Sequence, residues 1–291
     1  MEKIKFIADT ASDITDQELA EYAIGMPSVP ITIDGESYFE RKSFGIQEFY
    51  TVLAGSKEIP ATSRVPEADY LELYRQALAE GYTDIISVTI NAGGSGTHTS
   101  AVMAAQRLFD KNPEAKDKLG IHVVDSRSYC RGYGSPVVKA AQMARDGKTA
   151  TEILAFLDDW FNCVEIYLGC YTLEYAKKSG RISAAAAFVG EVLGMRPVIS
   201  LIDGETKTEE KVRGDKKLAL ALFNQYKNRR VSPDDDVCVV CGEEEAHGKE
   251  LQSLLEKELG RPIPIYFAGA SITINAGPRI AAVVLKGKPR H

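Results

Sequence analysis

Short apolar, β-branched segments alternate with segments of helical periodicity along the chain, and this alternation restricts the folds open to it. The strand-like segments include residues 3–8, 84–90 and 121–124, and the helix-like segments include residues 66–80 and 97–109. Strands that alternate with helices at this spacing are typical of a parallel or mixed sheet covered by helices on both faces. The sequence therefore predicts an α/β fold.

A second series of elements begins near Cys163 and indicates a second domain. Residues 164–170 have the pattern of a buried strand, and Asp203-Gly204 between two β-branched runs is a strong hairpin signal. A chain of 291 residues, 44% of them hydrophobic, is long enough for two cores. We predict an N-terminal α/β domain over residues 1–160 and a C-terminal α/β domain over residues 161–291, each with a mixed or parallel sheet flanked by helices.

The composition argues against several classes of protein. The net charge is −6, from 41 acidic and 35 basic residues, and no long basic run is present to bind nucleic acid. Five cysteines are an odd number at low density, which argues against a disulfide framework and for a reducing compartment. No run approaches the roughly 18 apolar residues of a membrane span, and the start of the chain does not resemble a secretory signal. We expect a cytoplasmic protein without an integral membrane segment.

Residues that could form a metal site or a nucleophile–base pair are scattered along the chain. The four histidines lack zinc-ligand spacing, and no catalytic serine elbow is present. Cys238 and Cys241 have CxxC spacing, but they lie in a predicted strand, so their side chains should face opposite ways. We therefore expect no metal ion, no cofactor, no catalytic residue and no self-sufficient enzyme.

The strongest local signal is a strand followed by Gly94-Ser95-Gly96-Thr97 and then by a helix. Glycines expose backbone amides at a helix N-terminus, where the helix dipole favours an anion, and Ser95 and Thr97 add hydroxyl donors. The loop is not a nucleotide P-loop, because no Lys-Ser or Lys-Thr pair closes it. Two interpretations remain open. The loop is either a carboxylate or phosphate site, or a cap in which Ser95 or Thr97 satisfies its own helix.

Three loops rich in hydroxyl and carboxyl groups follow predicted strands, at residues 9–13, 93–97 and 125–126. Ligands of α/β sheets collect beyond the carboxyl ends of the strands, so we expect these loops to converge on one pocket. A small basic cluster ends at Arg181, after the predicted helix C-cap Gly180. That cluster is either a solvated helix end or a contact for an anion or partner through Arg181.

Seven short motifs occur along the chain in a characteristic order. They are Ala8-Asp9-Thr10-Ala11-Ser12-Asp13, Pro60-Ala61-Thr62-Ser63, Ser95-Gly96-Thr97 with Ser100-Ala101, Val123-Val124-Asp125-Ser126 with Gly132 and Gly134, Leu173-Glu174-Tyr175 with Lys177-Lys178-Ser179-Gly180-Arg181-Ile182, Arg196-Pro197-Val198 before Asp203-Gly204, and Gly277-Pro278. Each motif is weak alone. In this order and spacing, the chain resembles the DegV family of bacterial fatty-acid-binding proteins over residues 3–285.

The resemblance implies two α/β domains with a long-chain fatty acid, such as hexadecanoate, in an apolar tunnel between them. It places the carboxyl group at Thr62 and Ser95, in motifs that also contain Ser63, Gly96 and Thr97. These motifs contain no lysine or arginine, so we expect the head group to be bound without a fixed salt bridge. The resemblance also implies a lipid-binding carrier, which presents the fatty acid to a separate fatty-acid kinase for phospholipid synthesis.

Arg181 matches a basic residue that the family uses near the head group and the partner surface. Three positions depart from the family pattern: Asn275 stands where a histidine is frequent, Arg279 replaces a glycine after the Gly-Pro pair, and Arg196 replaces a lysine. Asn275 can hydrogen-bond a carboxyl group but cannot carry a proton or a positive charge. If presentation of the fatty acid to a kinase needs an imidazole, this chain would lack the group for that step.

Two other functions remain open. Gly93 to Thr97 could form the anion site of a small-molecule phosphotransferase or hydrolase, with Asp9 and Asp13 as the candidates for its acidic groups. Magnesium-dependent ATP turnover by the pure protein would favour this function. The chain could also be a regulatory interaction module without a ligand, in which case the purified protein would carry and accept no lipid.

Overall fold

The computed structural model describes residues 2–186 and 194–290. The strands in these ranges are β1 (Ile4–Ala8), β2 (Pro30–Ile33), β3 (Glu36–Phe39), β4 (Ala61–Thr62), β5 (Asp84–Thr89), β6 (Gly120–Asp125), β7 (Val164–Cys170), β8 (Met195–Ile202), β9 (Glu205–Arg213), β10 (Val237–Cys241), β11 (Ile265–Phe267) and β12 (Ile280–Lys286). The α-helices are α1 (Asp16–Tyr22), α2 (Ile46–Gly55), α3 (Glu67–Ala79), α4 (Thr97–Lys111), α5 (Arg131–Arg145), α6 (Ala150–Cys163), α7 (Glu174–Ser179), α8 (Ser183–Ala186), α9 (Leu218–Arg229), α10 (Glu245–Leu259) and α11 (Ala270–Ala276). Short 3-10 helices occur at Thr10–Ser12, Pro113–Asp117 and Asp215–Lys217.

The first sheet is parallel, with β5 between β1 and β6. Alternate residues of a strand point to opposite faces. Ile7 and Ile85 accordingly belong to a buried cluster with residues of α3 and α4, whereas Phe6 and Ile86 belong to a cluster with residues of α5. Helices therefore cover both faces of this sheet, as the sequence predicted.

The second sheet is mixed and has the order β11-β10-β12-β7-β8-β9. The pair β10 and β11 is parallel, and the other neighbouring strands are antiparallel. The predicted hairpin is confirmed: Asp203 and Gly204, between β8 and β9, have φ angles of 54° and 79°, as a tight hairpin turn requires. With parallel and mixed sheets flanked by helices, the protein has the predicted α/β fold.

Strands β3 and β4, which complete a small antiparallel sheet in the order β3-β2-β4, and the helix α11 were not predicted. The two strands are only four and two residues long, which leaves little alternation to detect. Helix α11 contains Ile272, Thr273 and Ile274, whose β-branched side chains lower helix propensity. Thr62 lies on β4 and pairs with Ile31 of β2.

Helix α5 begins at Arg131 and contains Pro136. Proline has no amide hydrogen, so it cannot donate the usual helical bond to the carbonyl of Gly132. The indole nitrogen of Trp160 on α6 donates to that carbonyl at 3.0 Å. This bond satisfies a buried acceptor and joins α5 to α6.

All five cysteines lie within the described residues, and each is buried with a free thiol. Cys238 belongs to the core cluster that contains residues of α5. Cys241 lies under α10, where a Cβ added at Gly248 would be 3.3 Å from its Sγ. The two thiols thus face opposite sides of β10, as predicted.

The parallel sheet comes from residues 4–125, and the mixed sheet comes from residues 164–286. One hydrophobic core nevertheless contains residues of both sheets, including Val88 and Ile166. The domain boundary between residues 160 and 161 stays a prediction. Across residues 2–186 and 194–290, no helix has the length and apolar character of a membrane span.

Candidate functional site

A cavity of about 530 Å³ lies between the loops that follow the parallel strands and one face of the mixed sheet. Its volume is in the range of small-molecule binding sites. The apolar part of the wall includes Ile90, Ile166, Leu168, Leu201, Val240 and Ile280. The cavity therefore lies where the sequence placed a ligand, between the first and second halves of the chain.

Strand alternation explains the apolar wall. Ile166 and Leu168 are two residues apart on β7, and Leu168 pairs with Ala282 of β12, which also lines the cavity. Tyr167 between them points to the opposite face, where it packs in a cluster with residues of α9 and α10. One face of the mixed sheet thus lines the cavity, while the other is covered by helices.

The polar side chains of the cavity come from parts of the chain that are distant in sequence. The structure brings together the β4–α3 connection, the start of α4, the end of α7 and the helix α11. All seven residues that the sequence indicated as site residues line this one cavity: Thr62, Ser63, Ser95, Gly96, Thr97, Arg181 and Asn275.

Ser95 bonds to Thr97, the first residue of α4, and also lines the cavity. Its hydroxyl oxygen accepts the Thr97 amide at 3.2 Å, and its hydroxyl donates to the Thr97 hydroxyl oxygen at 3.0 Å. The Thr97 oxygen also accepts the backbone amide of Val65 at 3.1 Å. Thr97 therefore ties the β4–α3 connection to the start of α4, next to the exposed first amides of that helix.

Thr62 is oriented by Asn275. The side-chain amide of Asn275 donates to the Thr62 hydroxyl oxygen at 3.4 Å and to the Ser271 carbonyl at 2.7 Å. Because the Thr62 oxygen accepts this bond, its own hydrogen remains available for an acceptor in the cavity. Asn275 can fill this role without the proton or charge that a histidine could carry.

Two arginines line the cavity together with the head-group motifs, although the motifs themselves contain none; binding without a fixed salt bridge stays a prediction. Arg64, directly after Thr62 and Ser63, lines the cavity, and so does Arg181. Arg181 follows Gly180, the predicted C-cap of α7, which has a φ of 66°. Arg64 was missed because the motif comparison ended at Ser63, although the next residue in the sequence is the arginine.

The three loops that follow the parallel strands converge, but they contribute unequally. The carboxyl group of Asp9 accepts the Ile90 amide at 3.1 Å, and that of Asp125 accepts the Ala92 amide at 3.0 Å. These bonds hold the connection that leads from β5 to the start of α4. Asp125 and its neighbour Ser126 do not line the cavity themselves, so their loop stabilises a neighbouring part of the wall without contacting the cavity.

Asp13 and Glu40 hold the start of α11. Asp13 accepts the Gly269 amide at 2.9 Å, and Glu40 accepts the Ser271 amide at 2.9 Å. The Thr10 hydroxyl donates to the other oxygen of Glu40 at 2.6 Å. Since α11 forms part of the cavity wall, these two carboxyl groups determine where that wall lies.

Burial raises the pKa of all three carboxyl groups behind the site. Desolvation is the largest cause, and it raises the pKa of Asp9 to about 6. The pKa of Asp13 lies well above its usual range because of desolvation and the nearby charge of Glu40. Desolvation also raises the pKa of Glu40, although the bonds from Thr10 and Ser271 lower it. Asp13 Oδ2 is buried without a hydrogen-bond partner in the described chain, and a proton there avoids a buried, uncompensated charge.

The described wall offers little for phosphotransfer or hydrolysis. It contains no lysine, histidine, aspartate or glutamate side chain. Burial raises the pKa of the Cys130 thiol, which keeps this cavity-lining group protonated. Asp9 and Asp13, the acidic candidates for that function, are buried and bonded to the protein. Within the described residues, no group of three or more His, Cys, Asp or Glu residues could hold a metal ion.

Comparison with known proteins identifies the relatives of this chain. The sequence model of one family, described as an uncharacterised protein of the DegV family, matches residues 3–288. A DegV domain-containing protein of Caldanaerobacter subterraneus is 30% identical over 290 residues, with 99% of this chain and 100% of the relative covered.

Two solved structures have the same fold. A fatty acid binding DegV family protein of Streptococcus agalactiae has a TM-score of 0.86 and 26% identity, with 99% of this chain and 100% of that chain covered. A DegV lipid binding protein of Thermotoga maritima has a TM-score of 0.85 and 25% identity, with the same coverage of 99% and 100%.

The raised pKa of Asp13 predicts a specific pH dependence of stability. Its folded-state pKa lies above the unfolded value of about 3.9, so the folded state binds the proton more tightly. The contribution of Asp13 to the free energy of unfolding is largest below its unfolded-state pKa, and it is lost as the pH rises through its folded-state pKa. Asp13→Asn is neutral and similar in shape. The free energy of unfolding of wild type relative to this variant should therefore begin to fall above about pH 4 and should keep falling as the pH rises through the folded-state pKa of Asp13, as measured by chemical denaturation.

The matched control is Asp117→Asn, which removes an exposed carboxyl group on the surface. Its stability difference from wild type should change much less over the same range of pH. A constant difference between wild type and Asp13→Asn would contradict the assignment of a raised pKa to Asp13.

Proposed function

This chain belongs to the DegV family, and on that basis we propose that it binds a long-chain fatty acid, such as hexadecanoate, in the cavity between its two larger sheets. The observation that carries the proposal is a cavity with a largely apolar wall that also contains the hydroxyl side chains of Thr62 and Ser95; the part of the wall around these two residues is called the hydroxyl end. Solved relatives with the same fold are described as fatty acid binding and lipid binding proteins. The proposal therefore rests on the geometry of the cavity and on the membership of this chain in the DegV family.

The energy of acyl binding would come from the apolar wall. Burial of a methylene group contributes roughly 0.8 kcal/mol, so about 14 methylenes contribute on the order of 11 kcal/mol before the costs of ordering. Ile166, Leu168 and Val240, on one face of the mixed sheet, are among the side chains that would contact the chain. Binding of this strength requires no covalent link, which suits a ligand that is later released.

The carboxyl end has the opposite requirement, because an unpaired carboxylate in the interior costs several kcal/mol. The free hydrogen of Thr62 can donate to one oxygen. Ser95 can turn its hydrogen from Thr97 to the ligand at small cost, since the Thr97 oxygen keeps its bond from Val65. The first amides of α4, from Gly96 onward, add the partial positive charge of a helix N-terminus.

The second part of the proposal is that the protein is a carrier, which presents the fatty acid to a separate fatty-acid kinase for phospholipid synthesis. The hydroxyl end of the cavity supports this role, because Ser63 and Arg64, which follow Thr62 directly in the chain, are exposed to solvent. A second protein could therefore reach the carboxyl group. The wall itself offers no acid–base pair for chemistry on that group within the described residues.

Removal of the two hydroxyls tests the binding site. The double variant Thr62→Ala, Ser95→Ala should lose two bonds to a charged ligand, worth about 3 kcal/mol or roughly a hundredfold in Kd. The measurement is equilibrium dialysis of delipidated protein with radiolabelled hexadecanoate. The control, Thr51→Ala with Ser253→Ala, removes two exposed hydroxyls from the surfaces of α2 and α10. Equal affinity of the site variant and wild type would remove Thr62 and Ser95 from the site.

The carrier role is tested with a purified bacterial fatty-acid kinase and Mg-ATP. Acyl phosphate should form only when the kinase and the hexadecanoate-loaded protein are both present. ATP turnover by the loaded protein alone would support the phosphotransferase instead. Turnover with Asn275→His but not with wild type would show that this chain does not serve such a kinase, because Asn275 lacks the imidazole.

A further inference from the structure

Two arginines supply the charge of the cavity wall. Arg64 and Arg181 are the only charged side chains that line the cavity within residues 2–186 and 194–290, and both are exposed. A head group in the cavity therefore meets positive charge and no carboxylate of the described wall.

Arg64 lies beside the two hydroxyls. It follows Thr62 and Ser63 in the chain, and its side chain lies against Gly96, next to Ser95. A Cβ added at Gly96 would be 2.9 Å from the Arg64 Cδ and 3.6 Å from its Nη1. The guanidinium group thus lies near the start of α4, next to Gly96 and close to Ser95.

The guanidinium of Arg64 has no acidic partner in the described part of the chain, unlike several other arginines. Arg41, Arg107 and Arg127 each form an ion pair with a carboxylate. Arg64 forms no such pair with a described residue, and neither does Arg181. The hydrogen-bond donors of Arg64, which match the two oxygens of a carboxylate, are therefore available to a ligand.

Hydroxyl groups alone do not distinguish a charged head group from a neutral one. Thr62 and Ser95 can donate to a carboxylate, to a protonated acid or to the oxygen of an alcohol. A guanidinium is always charged, and its bond to a carboxylate is stronger than its bond to a neutral oxygen. An arginine is therefore the group that can distinguish a charged head group from a neutral one.

We propose that Arg64 makes the site selective for acyl ligands with an ionised head group and against uncharged ligands of the same chain length, such as fatty alcohols. The proposal rests on the proposed function, since it concerns the head group of the same ligand. Arg64 is assigned this role because it shares its part of the wall with Thr62 and Ser95, whereas Arg181 enters from the end of α7.

The experiment compares the dissociation constants of hexadecanoate and hexadecan-1-ol for delipidated protein at neutral pH. Wild type should prefer the acid. Arg64→Gln should weaken binding of hexadecanoate by roughly tenfold and leave binding of the alcohol nearly unchanged. Arg64→Lys keeps the charge and should recover most of the lost affinity for the acid.

The matched control is Arg75→Gln, which removes the same charge from an exposed position on α3 outside the cavity. It should change neither dissociation constant. An equal loss of affinity for the acid and the alcohol in Arg64→Gln, or no loss for the acid, would overturn the proposal while leaving fatty-acid binding intact. If wild type bound neither ligand, the proposed function itself would fail, and the selectivity with it.

Discussion

Two backbone amides at the start of α11 donate to the carboxyl groups of Asp13 and Glu40, and the shape of the cavity depends on this contact. Helix α11 is only seven residues long and rich in β-branched side chains, so it has little tendency to form alone. Held at its start, it brings Asn275 to Thr62 at the hydroxyl end of the cavity. A buried acidic cluster in the first half of the chain thus positions a wall contributed by the second half.

The two ends of a fatty acid make different demands, and two kinds of structure meet them. The apolar wall follows from strand alternation, because Ile166 and Leu168 share a face of a sheet whose other face is covered by helices. The polar end is built from loops and a helix N-terminus, where Ser95 both accepts the first amide of α4 and lines the cavity. Under the proposed function, the sheet supplies apolar area for the acyl chain, and the hydroxyls and an exposed arginine contact the carboxyl group.

The α/β class, the hairpin at Asp203 and most of the main strands could be predicted, because period and turn chemistry are local properties of a sequence. The two-residue strand β4 and the helix α11 could not, since bonds to distant parts of the chain stabilise them. Strand β3 was missed although Asp34-Gly35, which joins it to β2, is the same kind of hairpin signal as Asp203-Gly204. Ser95, Gly96 and Thr97 were indicated by the chemistry of a helix N-terminus, whereas Thr62 and Ser63 were found only through motifs in a family order. Motif comparison could not identify Arg64, because its side chain comes next to Gly96, the neighbour of Ser95, only in the folded chain.

The central claim is that the cavity holds a long-chain fatty acid. Native mass spectrometry of the purified protein, followed by solvent extraction and lipid analysis, tests it most directly. The account predicts an added mass of a fatty acid at a stoichiometry of about one per chain, and an extract that contains that acid. A protein that carries no lipid and takes up none when hexadecanoate is supplied would contradict the account.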